Sequence, residues 1–408
     1  AQEALAYAEA GFANRADAMH LAKMHNQRAM LRLFEGRYED AIWEAQTAME
    51  MLGQNEVVER AHTQRHIGRA YVGLGRFAEG VAQLQDALAL FRAAYSPYDV
   101  ANTLQDLVLA FSAQGKFDAA IACVNETLAI GRRLGAPKLL AGVLNDAGCL
   151  HHALGDYQRA LALFEEGLAV VRRDGDVRLQ AYILVSAADL FRDVGIYERA
   201  APLYDAGWQI AQESEPRLAI YILIAQADMY RWRGDHARAL ALLEQAHKLA
   251  EERGLDFEKQ GLLPVAKGIT LTENDAIETG LRLLSLGIHF LEQRQAKRDL
   301  ARARFLLARA HLLAGEKAQA VAELRRAMNL ADEIGTYQLA AVEGQHAEEL
   351  LKLGIAEGVP TCRAAVEKIQ RLREFRLEQF ETNRRESCLL YTSPSPRDLS
   401  TSRMPSSA

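Results

Sequence analysis

The chain has 408 residues, of which 50% are apolar, 25% charged and 7% aromatic, and its formal charge is −6. Sparse glycine (28) and proline (9) favour helix over sheet, and no apolar run approaches the ~20 residues of a membrane span. Four cysteines exclude a disulfide scaffold and fit a reducing, cytoplasmic setting, while the negative charge excludes a general attraction to nucleic acid or an anionic membrane.

In chain order, Ala1–Phe12 reads as the second half of a helical hairpin, with Ala rather than Met at position 1. Residues 1–13 are therefore predicted to be the remnant of a truncated repeat, and the chain a piece of a longer protein. From residue 14 to 357 a turn glycine, an aromatic and then a small residue recur: Gly36-Arg-Tyr, Gly75-Arg-Phe, Gly115-Lys-Phe, Gly155-Asp-Tyr, Gly195-Ile-Tyr, Gly234-Asp-His and Gly315-Glu-Lys. A degenerate copy, Asn274-Asp-Ala-Ile-Glu-Thr279, fills the one gap, and successive spacings are then 39, 40, 40, 40, 39, 40 and 41 residues. Glycine, with Asn274 in its place, can enter the left-handed conformation that ends one helix and reverses the chain into the next.

Small residues recur in register with these turns. Five positions after them stand Ala41, Gly80, Ala120, Ala160, Ala200, Ala239, Thr279 and Ala320; seven before stand Ala29, Gly68, Gly148, Ala188, Ala227 and Ala308. Such columns let two antiparallel helices approach closely and the next pair stack on them. Pro264 and Gly268 are predicted to kink the first helix of the degenerate copy. After the array, Val366, Ile369, Leu372 and Phe380 mark one amphipathic helix, so 358–387 is predicted to be a capping helix. Residues 388–408, rich in Ser, Pro and Thr, resemble the translated text of a sequencing-library adapter and are predicted to be a disordered, non-native tail.

The repeat columns, in this order over about residues 14–354, resemble the tetratricopeptide repeat (TPR), with a period nearer 40 than the usual ~34. The resemblance implies an all-α fold: a right-handed superhelix of stacked antiparallel helix pairs, a TPR-like α-solenoid of about eight repeats. It also implies that the first helix of each pair lines a concave groove for a peptide or a helix of a partner. The period and the closing Leu350–Gly358 stretch resemble the TPR sensor region of bacterial NTPase-type transcriptional regulators. The rival expectation is the regulatory arm of an enzyme, a CHAT-type peptidase or a nucleotide cyclase, whose catalytic domain lies elsewhere.

Catalytic signatures fail. No nucleotide-binding P-loop, His-Glu-x2-His or Gly-x-Ser-x-Gly occurs. Gly73-Leu-Gly75-Arg-Phe-Ala78 imitates a dinucleotide fingerprint, but Gly75 is in register with the other turns. Cys149, His151 and His152 form the one metal-like cluster and lack a second ligand pair, so they read as groove-side residues. No enzyme activity, cofactor or metal is expected.

Counting 3, 6, 10 and 13 positions back from each turn gives one helix face. It holds Lys23, Asn26, His62, Arg65, Arg69, Asn102, Gln105, Asn145, His152, Tyr182, Asp189, Arg192, Tyr221, Asp228, Arg231, Arg302 and Arg309. Seven of these are Lys or Arg and two are Asp, an excess of five positive charges on a chain that is otherwise negative. This face is predicted to bind a protein or peptide, and the excess points to an acidic one. The competing expectation is that Arg192 and Arg231 pair with Asp189 and Asp228, or with neighbouring repeats.

Overall fold

A computed structural model describes residues 18–392 other than Gly115, Gln295, Thr336 and Pro360, and the backbone alone from Phe380 onward. The predicted remnant at 1–13 and the adapter-like segment from 393 on lie outside the described residues. The first three helix pairs are α1 (Ala18–Glu35) with α2 (Tyr38–Met51), α3 (Val57–Gly73) with α4 (Phe77–Ala93), and α5 (Pro97–Ala113) with α6 (Phe117–Leu134). Next come α7 (Pro137–Leu154) with α8 (Tyr157–Asp174), α9 (Val177–Asp193) with α10 (Tyr197–Ser214), and α11 (Pro216–Trp232) with α12 (His236–Glu252). The stack continues with α13 (Leu263–Glu273) and α14 (Ile277–Gln293), then α15 (Lys297–Leu313) and α16 (Lys317–Glu333). A short ninth pair, α17 (Gln338–Gly344) and α18 (Glu348–Ala356), precedes the long α19 (Cys362–Thr392). The α19 backbone thus stays helical past residue 387. No strand occurs among the described residues, and none of the described helices is long and apolar enough to cross a membrane.

Local chemistry sets the helix ends. Pro97, Pro137 and Pro216 open α5, α7 and α11 in the first turn, where a missing N–H costs nothing. Asp156, Asp176 and Asp235 cap α8, α9 and α12 by accepting from the backbone N–H three residues on. The turn glycines Gly36, Gly75, Gly155, Gly195, Gly234 and Gly315 all have φ between 74° and 86°. A second set about twenty residues later (Gly135, Gly175, Gly254 and Gly335) is also left-handed and closes the second helix of its pair. Two helices of 17–18 residues in most repeats therefore account for the long period.

The degenerate copy is in a different register from the one expected. Asn274 has φ −102°, and the left-handed residue is Asp275, with φ 65°. Counting from Asp275 puts Gly268 seven before, Gly280 five after and Gly287 twelve after, so the small columns are intact. Added Cβ atoms at Gly268 and Gly280 would come within 2.8 Å and 2.6 Å of each other's carbonyl oxygens, which makes this pair the closest sort of helix crossing. Gly268 is therefore a packing residue and not a kink. A turn of π-helix at Glu258–Leu262 runs into α13, and Pro264 sits in the first turn after it.

Odd-numbered helices touch the next odd-numbered helix throughout the stack, so they form the inner wall and the even-numbered helices the outer one. The curvature is tight enough to close the superhelix on itself. Arg217 at the start of α11 donates to the Glu35 carbonyl at the end of α1, 182 residues away (3.3 Å). One apolar cluster runs from α7–α11 to α15–α19, joining Phe164, Phe191 and Tyr204 to Leu350, Ile369 and Phe375.

Two substitutions test this packing. Ala160, fully buried in α8, is expected to cost about 1–3 kcal/mol when changed to Leu, read by urea unfolding. Asp275→Gly is expected to gain up to about 1 kcal/mol by relieving the left-handed backbone, whereas Asn274→Gly loses about 0.5–1 kcal/mol. The reverse ranking would restore the Asn274 register.

Candidate functional site: the inner wall

The predicted face is brought together along the inner wall, because its columns lie on the odd-numbered helices. Its cations, however, are already partnered. Lys23 lies 3.5 Å from Glu59; Arg65 and Arg69 hold Asp106 at 2.6 Å and 3.5 Å. Arg192 contacts Asp189 at 3.0 Å and Asp193 at 2.7 Å. Arg231 and Arg302, on α11 and α15, share Asp228 and Glu343, and Arg231 also reaches Glu273, as does Arg309. The seven cations thus face seven carboxylates: Glu59, Asp106, Asp189, Asp193, Asp228, Glu273 and Glu343. The expected excess of five positive charges is absent, and with it the physical basis for an acidic partner.

The polar members behave likewise. Asn26 Nδ2 donates to Thr63 Oγ1 at 2.8 Å, Gln105 Nε2 to Asp146 Oδ2 at 2.8 Å, and the Tyr182 hydroxyl to Glu215 Oε2 at 2.9 Å. His62 stands edge-on to Phe91 and 4.0 Å from Asp99. Tyr221 donates to Asp189 Oδ2 at 2.7 Å, and Tyr204 donates to the other oxygen. Asn102 offers its carbonyl to Arg65 at 3.4 Å. The pattern is a ladder in which one repeat's donor meets the next repeat's acceptor 36–42 residues on.

The ladder ends in a buried knot. Arg231 is 2% exposed and Glu343, on α17, 1%. Glu343 takes Arg231 at 2.9 Å, Arg302 at 2.7 Å and the Trp232 indole N–H at 3.3 Å, while His346 stacks on Trp232 at 4.7 Å. Burial alone would raise the Glu343 carboxyl, but Arg231 and Arg302 hold it well below the ordinary carboxylate range. Asp193 falls to about 2: burial opposes ionisation, and Arg192 and His152 outweigh it. His152 is also tied to α17, since Gln338 approaches both it (3.3 Å) and Asp193 (3.5 Å), and Gln345 donates to the Asp193 carbonyl at 2.7 Å. Part of the hollow is therefore filled by the chain's own ninth pair.

Cys149 bonds Ser186 Oγ at 3.5 Å and not His152, and its enclosure within the hollow pushes its thiol up to about 11, away from the range of an activated nucleophile. Among the described residues no group of three His, Cys, Asp or Glu stands at metal-binding geometry. Around Cys149 the wall is open: Leu109, Cys149 and Tyr221 are exposed on inner helices.

A tetratricopeptide-repeat family profile matches residues 59–133 and 99–173. With the stack described above, this match makes the chain's fold a TPR-like helical solenoid. No curated protein sequence matches it. Among solved structures it is similar to a Rap protein complexed with competence and sporulation factor, at 15% identity and TM-score 0.67, over 78% of this chain and 87% of that one. It is also similar to the Rap conjugation gene regulator of plasmid pLS20 in complex with the Phr* peptide (16%, TM-score 0.50, 74% and 76%). A third is the signal transduction ATPase with numerous domains (STAND) protein with a tetratricopeptide repeat sensor from Pyrococcus horikoshii. There the identity is 13% and the TM-score 0.51, and the match covers 84% of this chain but half of that one.

The depressed carboxylates fix a pH dependence. Their folded-state pKa values lie below the unfolded ones, so their contribution is whole above about pH 4 and is lost as pH falls through the folded values, near 2 for Asp193. Glu343→Gln is expected to cost about 3 kcal/mol at pH 7 and to shrink the loss on acidification. Urea unfolding at pH 7 and pH 3 checks both; an unchanged pH 7 midpoint would show the knot to be inessential.

Proposed function

We propose that the inner wall binds a peptide or protein segment, and that the chain acts as an interaction or sensor module with no catalysis of its own. The carrying observation is the change of character along the wall. From α9 to α17 its charges are buried and spent on one another, whereas at α5 and α7 Leu109 and Cys149 are exposed and Asn145 Oδ1 has no donor. Carboxamides on two successive repeats, Asn102 and Asn145, suit an extended chain, whose backbone offers donors and acceptors at regular intervals. Similarity to two solenoids described in complex with a competence and sporulation factor and with a Phr* peptide supports a ligand of this class. Similarity to a STAND protein's repeat sensor supports a place in a larger cytoplasmic signalling or transcription-regulatory protein. Nucleic acid is disfavoured as a direct ligand of this wall, since phosphates require cations that are not already neutralised.

The test is direct titration. Fluorescein-labelled decapeptide pools of mixed composition are expected to bind the full chain with dissociation constants on the order of 10 µM, read by anisotropy. Adding bulk to the open wall with Asn102→Trp and Ser186→Trp together is expected to abolish binding while circular dichroism still reports a helical fold. Absence of binding by every pool, or binding indifferent to the double change, would refute the groove.

A further inference from the structure

Building on that reading of the wall, we propose that its third and fourth repeats form a subsite for a cationic residue of the partner, a lysine or arginine side chain with an apolar neighbour, held by Asp146, Asn145 and Leu109. The Asp146 carboxylate, on α7, accepts from the Gln105 amide at 2.8 Å, and no Lys, Arg or His among the described residues forms an ion pair with it. Its counterparts Asp106, Asp189, Asp193 and Asp228 are each held by a guanidinium. Arg298, on α15, acts electrostatically on Cys149 and makes no ion pair with Asp146.

The adjacent side chain repeats the deficit. Asn145 Oδ1 is shielded from solvent and has no donor. Asn145 Oδ1 thus lacks a donor and Asp146 lacks a countercharge in the same stretch of wall, a costly arrangement unless something supplies protons and positive charge. An ammonium or a guanidinium supplies both, with three or five N–H groups. A carboxylate would meet acceptors and repulsion.

Apolar surface lies one helical turn away. Leu109 follows Gln105 by four residues on α5 and is 64% exposed; Cys149 follows Asp146 by three on α7 and is also exposed. A long basic side chain lays its methylenes on such surface while its head reaches the carboxylate. Burial lifts the Asp146 carboxyl to about 6, with the Asp106 charge adding to it, so the unliganded protein is held back by this residue at neutral pH.

Three labelled decapeptide pools test the assignment: Leu/Ser/Lys, Leu/Ser/Glu and Leu/Ser alone. The full chain is expected to prefer the Lys pool by about tenfold or more, and Asp146→Asn to remove most of that preference. Leu109→Ser is expected to weaken the Lys pool about threefold. Glu126→Gln makes the same charge change beside Arg92 on the outer α6 and is expected to leave the Lys pool unaffected. Asp146→Asn is also expected to raise the thermal midpoint of the unliganded chain, which separates lost recognition from lost folding. Preference for the Glu pool, or Lys-pool binding that survives Asp146→Asn or falls equally with Glu126→Gln, overturns the subsite. In those cases the groove stands as long as the Trp double change still abolishes binding. Failure of all three pools overturns the groove and the subsite together.

Discussion

Everything in this molecule depends on two helices being allowed to touch where one of them offers a small side chain or none. At Gly68, a Cβ would stand 3.1 Å from the Gly80 carbonyl, and at Gly148 it would collide with the Phe164 ring. Alanine holds the same place at Ala29, Ala188, Ala227 and Ala308, with Val108 the exception, so the pairs cross alike and each stacks on the last in a similar way. Constant stacking gives constant curvature, and in a stack of this length the curvature brings the first turn against α11 and the last helices against α7–α11. A superhelix that closes has an interior, and an interior imposes demands on polar groups that an open ribbon does not.

Those demands explain the inner wall. Arginines on an open groove could remain hydrated; at the centre of a closed one each must find a carboxylate or lose much of its solvation energy unrecovered. Hence the cations of α11 and α15 converge on Asp228, Glu273 and Glu343, contributed by three different helices. Such a network is weak evidence for stability as such, but it is demanding of geometry, and it fixes how α17 seats against α11.

The repeat, its helical nature and the inner face were legible because they rest on local constraints: a left-handed turn residue, small residues at fixed distances, and a helical period. The charge of that face was not. Columns 3, 6, 10 and 13 before the turn hold the arginines together with Asp189 and Asp228, while other partners sit one residue away. Asp106 is nine before its turn, and Asp193 and, once the turn is placed at Asp275, Glu273 are two before theirs. A helix face is wider than four columns, so a charge count that stops at the column edge finds an excess that its neighbours cancel. The Asn274 register failed for a related reason. Asn and Asp both tolerate left-handed backbone, and Gly268, Gly280 and Gly287 together decide between them. Glu343 was invisible to repeat counting, because α17 belongs to a shortened pair with no turn glycine of its own to count from.

The arrangement also gives a physical route by which a bound segment would be felt at the end of the chain. α7 carries Asn145 and Asp146 on its open stretch and, less than two turns further on, His152, which contacts Asp193 and Gln338 of α17. The carbonyl of Ala153 accepts from Lys368 of α19 just beyond. A rigid helix therefore joins the open wall to the contacts that close the superhelix. A ligand can shift that closure only by as much as it binds the closed and opened forms differently. Occupancy at Asp146 supplies such a difference if it moves α7 at all, because the His152 and Ala153 contacts depend on where that helix ends. In a multidomain protein this is what a sensor requires: the contact that recognises and the contact that closes lie on one element, a few residues apart.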